Sequence, residues 1–383
     1  MPQDGQPLAD FMPRFYARLS PGEKRRMAVK LGQAVRRWHD AGTQVCKADD
    51  IVVTHRMPAN TDFLPRGRHL PGSHRPLSKR RRIKALGGLL SDCWDFTSRS
   101  ERQRFLRAYV RSGPEIGQLH RGLIEKCAYE KSYAAWHRQG RYCFGNNAAF
   151  CAGHRDGFRY HGDKQRAGTA LRELLPDPDK ILEQGQIFKP GSRTHAGRIY
   201  LSCGEGFLKR FNDRGWWYRV RHLFRRSRAV HNWKVMWAFR YRRIPVADPV
   251  LCLEERFFRI LKRSYVLTDF AEGGQRLKIV WQGLSDAQRC CLLIVLAQLL
   301  GRMHRFGCLH GDLKWDNILV CATGKGWRIT LVDLDGSRVL RRPAANRAIR
   351  DVGRFLRDLE QVDTTGQWGR MFRRSWKKWI TNI

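Results

Sequence analysis

Eight consecutive residues, His310-Gly311-Asp312-Leu313-Lys314-Trp315-Asp316-Asn317, constrain this chain more than any other feature. An apolar triplet, Ile318-Leu319-Val320, follows directly, and Leu331-Val332-Asp333-Leu334-Asp335-Gly336 comes shortly after. Two short buried strands here would bring three side-chain oxygens together: those of Asp312, of Asn317 five residues on, and of Asp333 sixteen beyond that. Oxygen ligands converging on one phosphate suit a hard divalent cation. A lone His-x-Asp is common by chance. The full string, two apolar strands and a second Asp together are not.

This is the layout of a protein-kinase catalytic loop and its metal-binding strand end. The preceding segment agrees. From Leu284 to Phe306 the apolar residues Leu292, Leu293, Leu296, Leu299, Leu300 and Met303 recur at helical spacing. They predict a long buried helix that delivers the loop. Further upstream, Ile187-Phe188-Lys189 reads as a short strand and Pro190 to Gly197 as a phosphate-covering turn. Arg198 to Ser202 reads as the returning strand, and Phe207-Leu208-Lys209-Arg210-Phe211 as a third strand carrying a lysine. Lys209 is the candidate for the α- and β-phosphates. The turn lacks a three-glycine pattern, so its contacts would come from the backbone at Gly191 and from the hydroxyls of Ser192 and Thr194.

The chain here resembles the bacterial lipopolysaccharide core kinases, a family similar to small protein kinases. The residues carrying the resemblance are Lys189-Pro190-Gly191-Ser192-Arg193-Thr194, Phe207 to Asn212, Ser227 through Trp233 to Val250, Tyr265-Val266-Leu267-Thr268-Asp269-Phe270, the His310–Asn317 loop, and Val332-Asp333-Leu334-Asp335. They span about residues 181–383. The resemblance implies phosphorylation of a heptose or Kdo sugar of the lipopolysaccharide inner core, with ATP and Mg²⁺, at the cytoplasmic face of the inner membrane. It implies Asp312 as catalytic base with Lys314 as a second basic group near the transferred phosphoryl. Asn317 and Asp333 would be metal ligands, Lys209 the phosphate lysine, and Asp269 and Phe270 the adenine hinge.

One departure stands out. Protein kinases pair the strand lysine with a helix glutamate. Between Asp213 and Asp248 this chain has no acidic residue, so nothing on the helix expected over 225–241 can pair with Lys209. Either a carboxylate from elsewhere does so, or Lys209 is unpaired until nucleotide binds; the second is the expectation carried forward. Asp335 stands where a glycine is expected and is given no role.

Composition adds a partner. There are 73 Lys and Arg against 35 acidic residues, a formal net charge of +38. The excess peaks from Arg214 to Arg243, interleaved with Trp216, Trp217, Tyr218 and Phe224. Such a stretch suits an anionic inner-membrane surface, bound peripherally. Nucleic acid is the other polyanion that fits the charge, but no helix-turn-helix, RNP or zinc-finger spacing supports it. The 11 Cys are scattered without C-x-x-C pairs, and Met1-Pro2-Gln3-Asp4 opens no targeting pattern. A cytoplasmic protein is expected.

The fold class expected is α+β: a bilobal kinase-like domain over 181–383, with a β-rich N-lobe (181–270) and a helical C-lobe (271–383). A connector would occupy 115–180. Residues 1–114 read as a degenerate second C-lobe, because Trp38-His39-Asp40-Ala41-Gly42 through Ile51-Val52-Val53 parallels Met303-His304-Arg305-Phe306-Gly307 through Ile318-Leu319-Val320. In that copy the catalytic loop shrinks to Val45-Cys46-Lys47-Ala48-Asp49-Asp50 and loses its His-x-Asp. Two other functions fit the sequence: a silent kinase-shaped binding module, favoured by the missing helix glutamate and the degenerate N-terminal copy, and a small-molecule kinase of aminoglycoside or choline type, which shares His-Gly-Asp.

Overall fold

The computed structural model describes residues 5–54, 62–66, 75–111, 118–190, 194–212, 226–257, 260–324 and 326–380. The chain divides into two compact units, Met1–Ala135 and Trp136–Ile383.

The first unit holds β1 (Gly5–Pro7), α1 (Leu8–Arg14), α2 (Pro21–Asp40), β2 (Ile51–Thr54), β3 (Asp62–Pro65), α3 (Lys79–Asp92), α4 (Arg99–Arg111) and most of α5 (Gln118–Tyr142). Its sheet runs β1-β2-β3. Ser20 and Glu23 close a capping box at the start of α2. At Gly32 a Cβ would lie 2.4 Å from the Phe105 carbonyl oxygen, so glycine lets α2 and α4 touch. The Asp92 carboxylate accepts the Ala48 amide at 2.9 Å. Asp62 opens β3, ahead of the strand and not after it, so it has no metal-site counterpart.

The second unit is built on a seven-stranded antiparallel sheet and a helical part. Its elements are β4 (Phe150–Arg155), β5 (Phe158–Asp163), α6 (Ala167–Leu174), α7 (Pro178–Glu183), β6 (Gln186–Pro190), β7 (Thr194–Leu201) and β8 (Gly204–Phe211). After these come α8 (Arg228–Tyr241), β9 (Pro249–Phe257), β10 (Ile260–Asp269), β11 (Gln275–Arg276), α9 (Leu277–Gln282), α10 (Asp286–Arg305) and β12 (Cys308–Leu309). β13 (Ile318–Thr323), β14 (Gly326–Leu331), β15 (Arg338–Val339), α11 (Ala345–Glu360) and α12 (Gln367–Ile380) complete it. The large sheet runs β4-β5-β9-β10-β8-β7-β6.

The stretch read as a connector is therefore structured. β4 and β5 form a hairpin through Asp156 and Gly157, both at positive φ, and β5 pairs with β9, Tyr160 opposite Leu253. The sheet begins at residue 150 and not at 181. The hairpin is also tied to α8. Trp233 is fully buried, its indole N–H donates to the Cys143 carbonyl at 2.8 Å, and Phe150 meets Trp233 and Trp237 edge-on.

The helix expected over 284–306 is α10, capped by Ser285 and Gln288 and buried along Leu292, Leu296, Leu300 and Met303. Gly307, at φ 74°, ends it. A Cβ on Gly301 would lie 2.4 Å from Trp379 Cβ, so α10 and α12 cross closely. The Asp358 carboxylate accepts the Trp315 amide at 2.8 Å. The order seen in the first unit recurs here: a helix, a 3₁₀ turn, a hairpin, then two helices, with a carboxylate of the next helix capping the turn.

Candidate active site

α10 delivers the catalytic loop and Gly311 turns it. Gly311 has φ 84°, and a Cβ there would lie 2.3 Å from the Gly336 carbonyl oxygen. The loop and the 334–336 turn thus meet backbone to backbone, which only glycine permits. His310 is fully buried. Its Nε2 lies 3.0 Å from the Val332 carbonyl oxygen, and its Nδ1 3.4 Å from the Asp312 amide. Nε2 therefore carries the proton and Nδ1 accepts. Burial holds the imidazole pKa below its ordinary value.

Asp351 of α11 fastens this loop. Its carboxylate accepts the His310 amide at 2.8 Å and the Gly311 amide at 2.7 Å. It also accepts His304 Nε2 at 3.0 Å, and the Trp376 indole donates to His304 Nδ1 at 3.0 Å. Burial acts to raise the Asp351 pKa. The His304 contact and the two amides outweigh it, and the pKa lies below the ordinary carboxylate value. Neither Asp351 nor His304 was singled out from the sequence.

Asp312 is half-exposed and flanked by cations. Lys314 Nζ lies 3.6 Å from Oδ2 and Arg354 Nε 3.7 Å from Oδ1. Asn317 Nδ2 donates to the Asp312 carbonyl at 2.9 Å and to its carboxylate at 3.1 Å. Asp333 adopts a left-handed backbone, φ 60° and ψ 61°, just past β14. Arg354, a full helix away in sequence, was missed.

Lys209 is not unpaired, contrary to expectation. Its Nζ lies 2.7 Å from Asp333 Oδ1 and 3.0 Å from Asp335 Oδ1. No carboxylate on α8 supplies the partner; the segment after β14 does. Much of the basic stretch, residues 213–225, lies outside the described residues; of the rest, Arg228 pairs with Asp335, Arg240 with Asp248, and Arg226 stacks on Phe144. Arg242 is buried over Trp136.

A cleft of about 500 Å³ opens between the sheet and the helical part. Its lining includes Phe188, Ala196, Phe207, Leu319, Thr268 to Ala271, Lys209, Lys314, Asn317 and Asp333. The Phe188 ring lies 6.3 Å from both the Phe207 and the Phe270 rings. The Asp269 carboxylate is engaged by Arg166. Thr194 is buried in β7 opposite Phe211 and not in a loop. Gly191 and Ser192 lie outside the described residues.

Three buried histidines give this protein an acid limit. Burial depresses His39 and His161 to about 4, and lowers His310. The unfolded chain takes up these protons near pH 6.5 while the folded one does not, so stability is complete above roughly pH 6.5 and falls as pH drops towards 4. Thermal unfolding from pH 7.5 to 4.5 should show a steadily falling midpoint. A flat profile would show that these side chains are solvated.

The site brings Lys209 of a central strand against Asp333, and Asn317 against Asp312, the residue types that a kinase uses. Residues 210–374 match the sequence model of the lipopolysaccharide kinase (Kdo/WaaP) family. A 3-deoxy-D-manno-octulosonic acid kinase of Xylella fastidiosa is 28% identical over 219 residues, covering 56% of this chain and 84% of the relative. One from Stenotrophomonas maltophilia is 26% identical over 217 residues, covering 51% and 82%. A solved structure, WaaP in complex with acyl carrier protein, aligns with TM-score 0.44 and 16% identity over 55% of this chain and 87% of that one; that likeness is too distant to bear weight.

Proposed function

We propose that this chain transfers a phosphoryl group from ATP, with Mg²⁺, to a sugar hydroxyl of the lipopolysaccharide inner core. The observation that carries the reading is the convergence of Lys209, Asn317 and Asp333 on one cleft, with the Asp312 carboxylate accepting Asn317 Nδ2 at 3.1 Å. Asp312 accepts the proton of the sugar hydroxyl as its oxygen bonds to the γ-phosphorus and ADP leaves. Lys209 binds the α- and β-phosphates. Thr268 to Ala271 and the Phe188, Phe207 and Phe270 rings hold the base.

The donors fit Mg²⁺. Among the described residues no cluster of three His, Cys, Asp or Glu could hold a metal. Mg²⁺ does not need one, since it binds through one or two carboxylates plus substrate phosphates. Asn317 and Asp333 would hold it, and bound there it would neutralise phosphate charge.

Lys314 and Arg354 beside the base suit an acceptor with its own negative charge, such as a sugar acid. They do not suit the cationic acceptors of aminoglycoside or choline kinases. Against the silent-module reading, Lys209 does have carboxylate partners, in Asp333 and Asp335. Residues 1–114 we read as a degenerate copy of the helical part, supported by the matching turn caps Asp92 and Asp358. Among the described residues no helix is long and apolar enough to cross a membrane. Work at a lipid surface from the cytoplasmic side would be peripheral.

The test is metal-dependent binding followed by transfer. Asp333→Ala should weaken Mg·ATP binding by roughly a hundredfold, since even outer-shell partners of a metal are worth about ten- to a hundredfold. Identical calorimetric titrations of the variant and wild type would place the nucleotide elsewhere. Absence of phosphate transfer to purified lipid A–core by wild type would exclude this acceptor.

A further inference from the structure

Asp335 has three donors on its two carboxylate oxygens. Oδ1 accepts Lys209 Nζ at 3.0 Å and Asn232 Nδ2 at 2.8 Å; Oδ2 accepts Arg228 Nη2 at 2.6 Å. Arg228 and Asn232 are four residues apart on α8, one above the other on a single face. Asn232 Nδ2 also donates to the Arg228 carbonyl at 3.0 Å, which fixes its amide. Asp335 itself sits in the 3₁₀ turn Leu334–Gly336, whose Gly336 packs on Gly311 and whose neighbour Ser337 donates to the His310 carbonyl at 2.7 Å. One carboxylate thus joins the lysine strand, helix α8 and the catalytic-loop segment.

We propose that Asp335 is the positioning residue for Lys209, with donor and acceptor exchanged between helix and loop relative to a protein kinase. There the helix carries the carboxylate. Here the helix carries a cation and an amide, and the carboxylate arrives from two residues past Asp333. Asp335 is not a metal ligand on this reading, because both its oxygens are engaged by protein donors. The inference rests on the kinase reading for its purpose, but the contact it asserts does not depend on bound nucleotide.

The experiment has a nucleotide-free arm and a kinetic arm, both on the full chain. In the first, acylation of Lys209 by acetic anhydride is followed by peptide mass spectrometry. The isosteric Asp335→Asn should speed labelling by roughly tenfold, the factor set by loss of a charge-assisted hydrogen bond. In the second, Asp335→Asn should weaken Mg·ATP binding by about the same factor and lower kcat, leaving KM for the sugar acceptor unchanged. Asn232→Glu combined with Asp335→Asn returns a carboxylate to the helix and should recover much of both losses. A thermal melt of each variant checks that it folds. Unchanged labelling in Asp335→Asn overturns the proposal. So does a raised Mg²⁺ requirement with labelling unchanged, which would make Asp335 a metal ligand. If wild type binds no Mg·ATP, the kinase reading fails, and the labelling arm still decides whether Asp335 holds Lys209.

Discussion

Asp312→Asn should lose phosphoryl transfer by roughly 10²–10⁴-fold, the range for a removed general base, while Mg·ATP binds as before. The asymmetry follows from the geometry. Asp312 lies between Lys314 and Arg354, and its carboxylate accepts Asn317, which also reaches the Asp312 backbone carbonyl. An Asn at 312 keeps the shape and removes the proton acceptor. Steady-state transfer to lipid A–core, alongside calorimetry with Mg·ATP, separates the two. Equal turnover by variant and wild type would show that another group takes the proton.

Asp351→Ala should be the most destabilising single change near the site, on the order of 3–5 kcal/mol, because three buried donors lose one acceptor. Those donors are the His310 and Gly311 amides and His304 Nε2. The effect has a pH signature. The folded Asp351 pKa is depressed, so its contribution is complete above the unfolded value of about 3.9 and is lost as pH falls through the folded pKa. Denaturant titrations at pH 7 and at pH 3 should therefore show a wide gap between wild type and variant that narrows in acid. A gap of the same size at both would mean the loss is packing alone.

The catalytic loop was legible because its parts are local: His310 to Asn317 and the hairpin to Asp333 need only strand geometry to converge. The lysine strand was legible once that loop was known. What could not be read was set by distance. Asp335 meets Lys209, Arg228 and Asn232 from over 100 residues away, and a carboxylate displaced from helix to loop leaves no local pattern. Arg354 reaches Asp312 only because α11 folds back under the loop. The β4–β5 hairpin had a signal that went unused. Its Asp156-Gly157 pair is the residue choice that a two-residue hairpin turn favours, but the glycines and arginines around it suggested a loop. Thr194 was misplaced because β7 begins earlier than the polar run implied.

The fastening of α8 has a consequence for control. In protein kinases the corresponding helix is a lever, and regulation works by swinging it in or out. Here the Trp233 indole is bolted to the Cys143 carbonyl, Phe150 wedges against Trp233 and Trp237, and the hairpin behind them is woven into the sheet. A lever welded at its fulcrum cannot serve as a throttle.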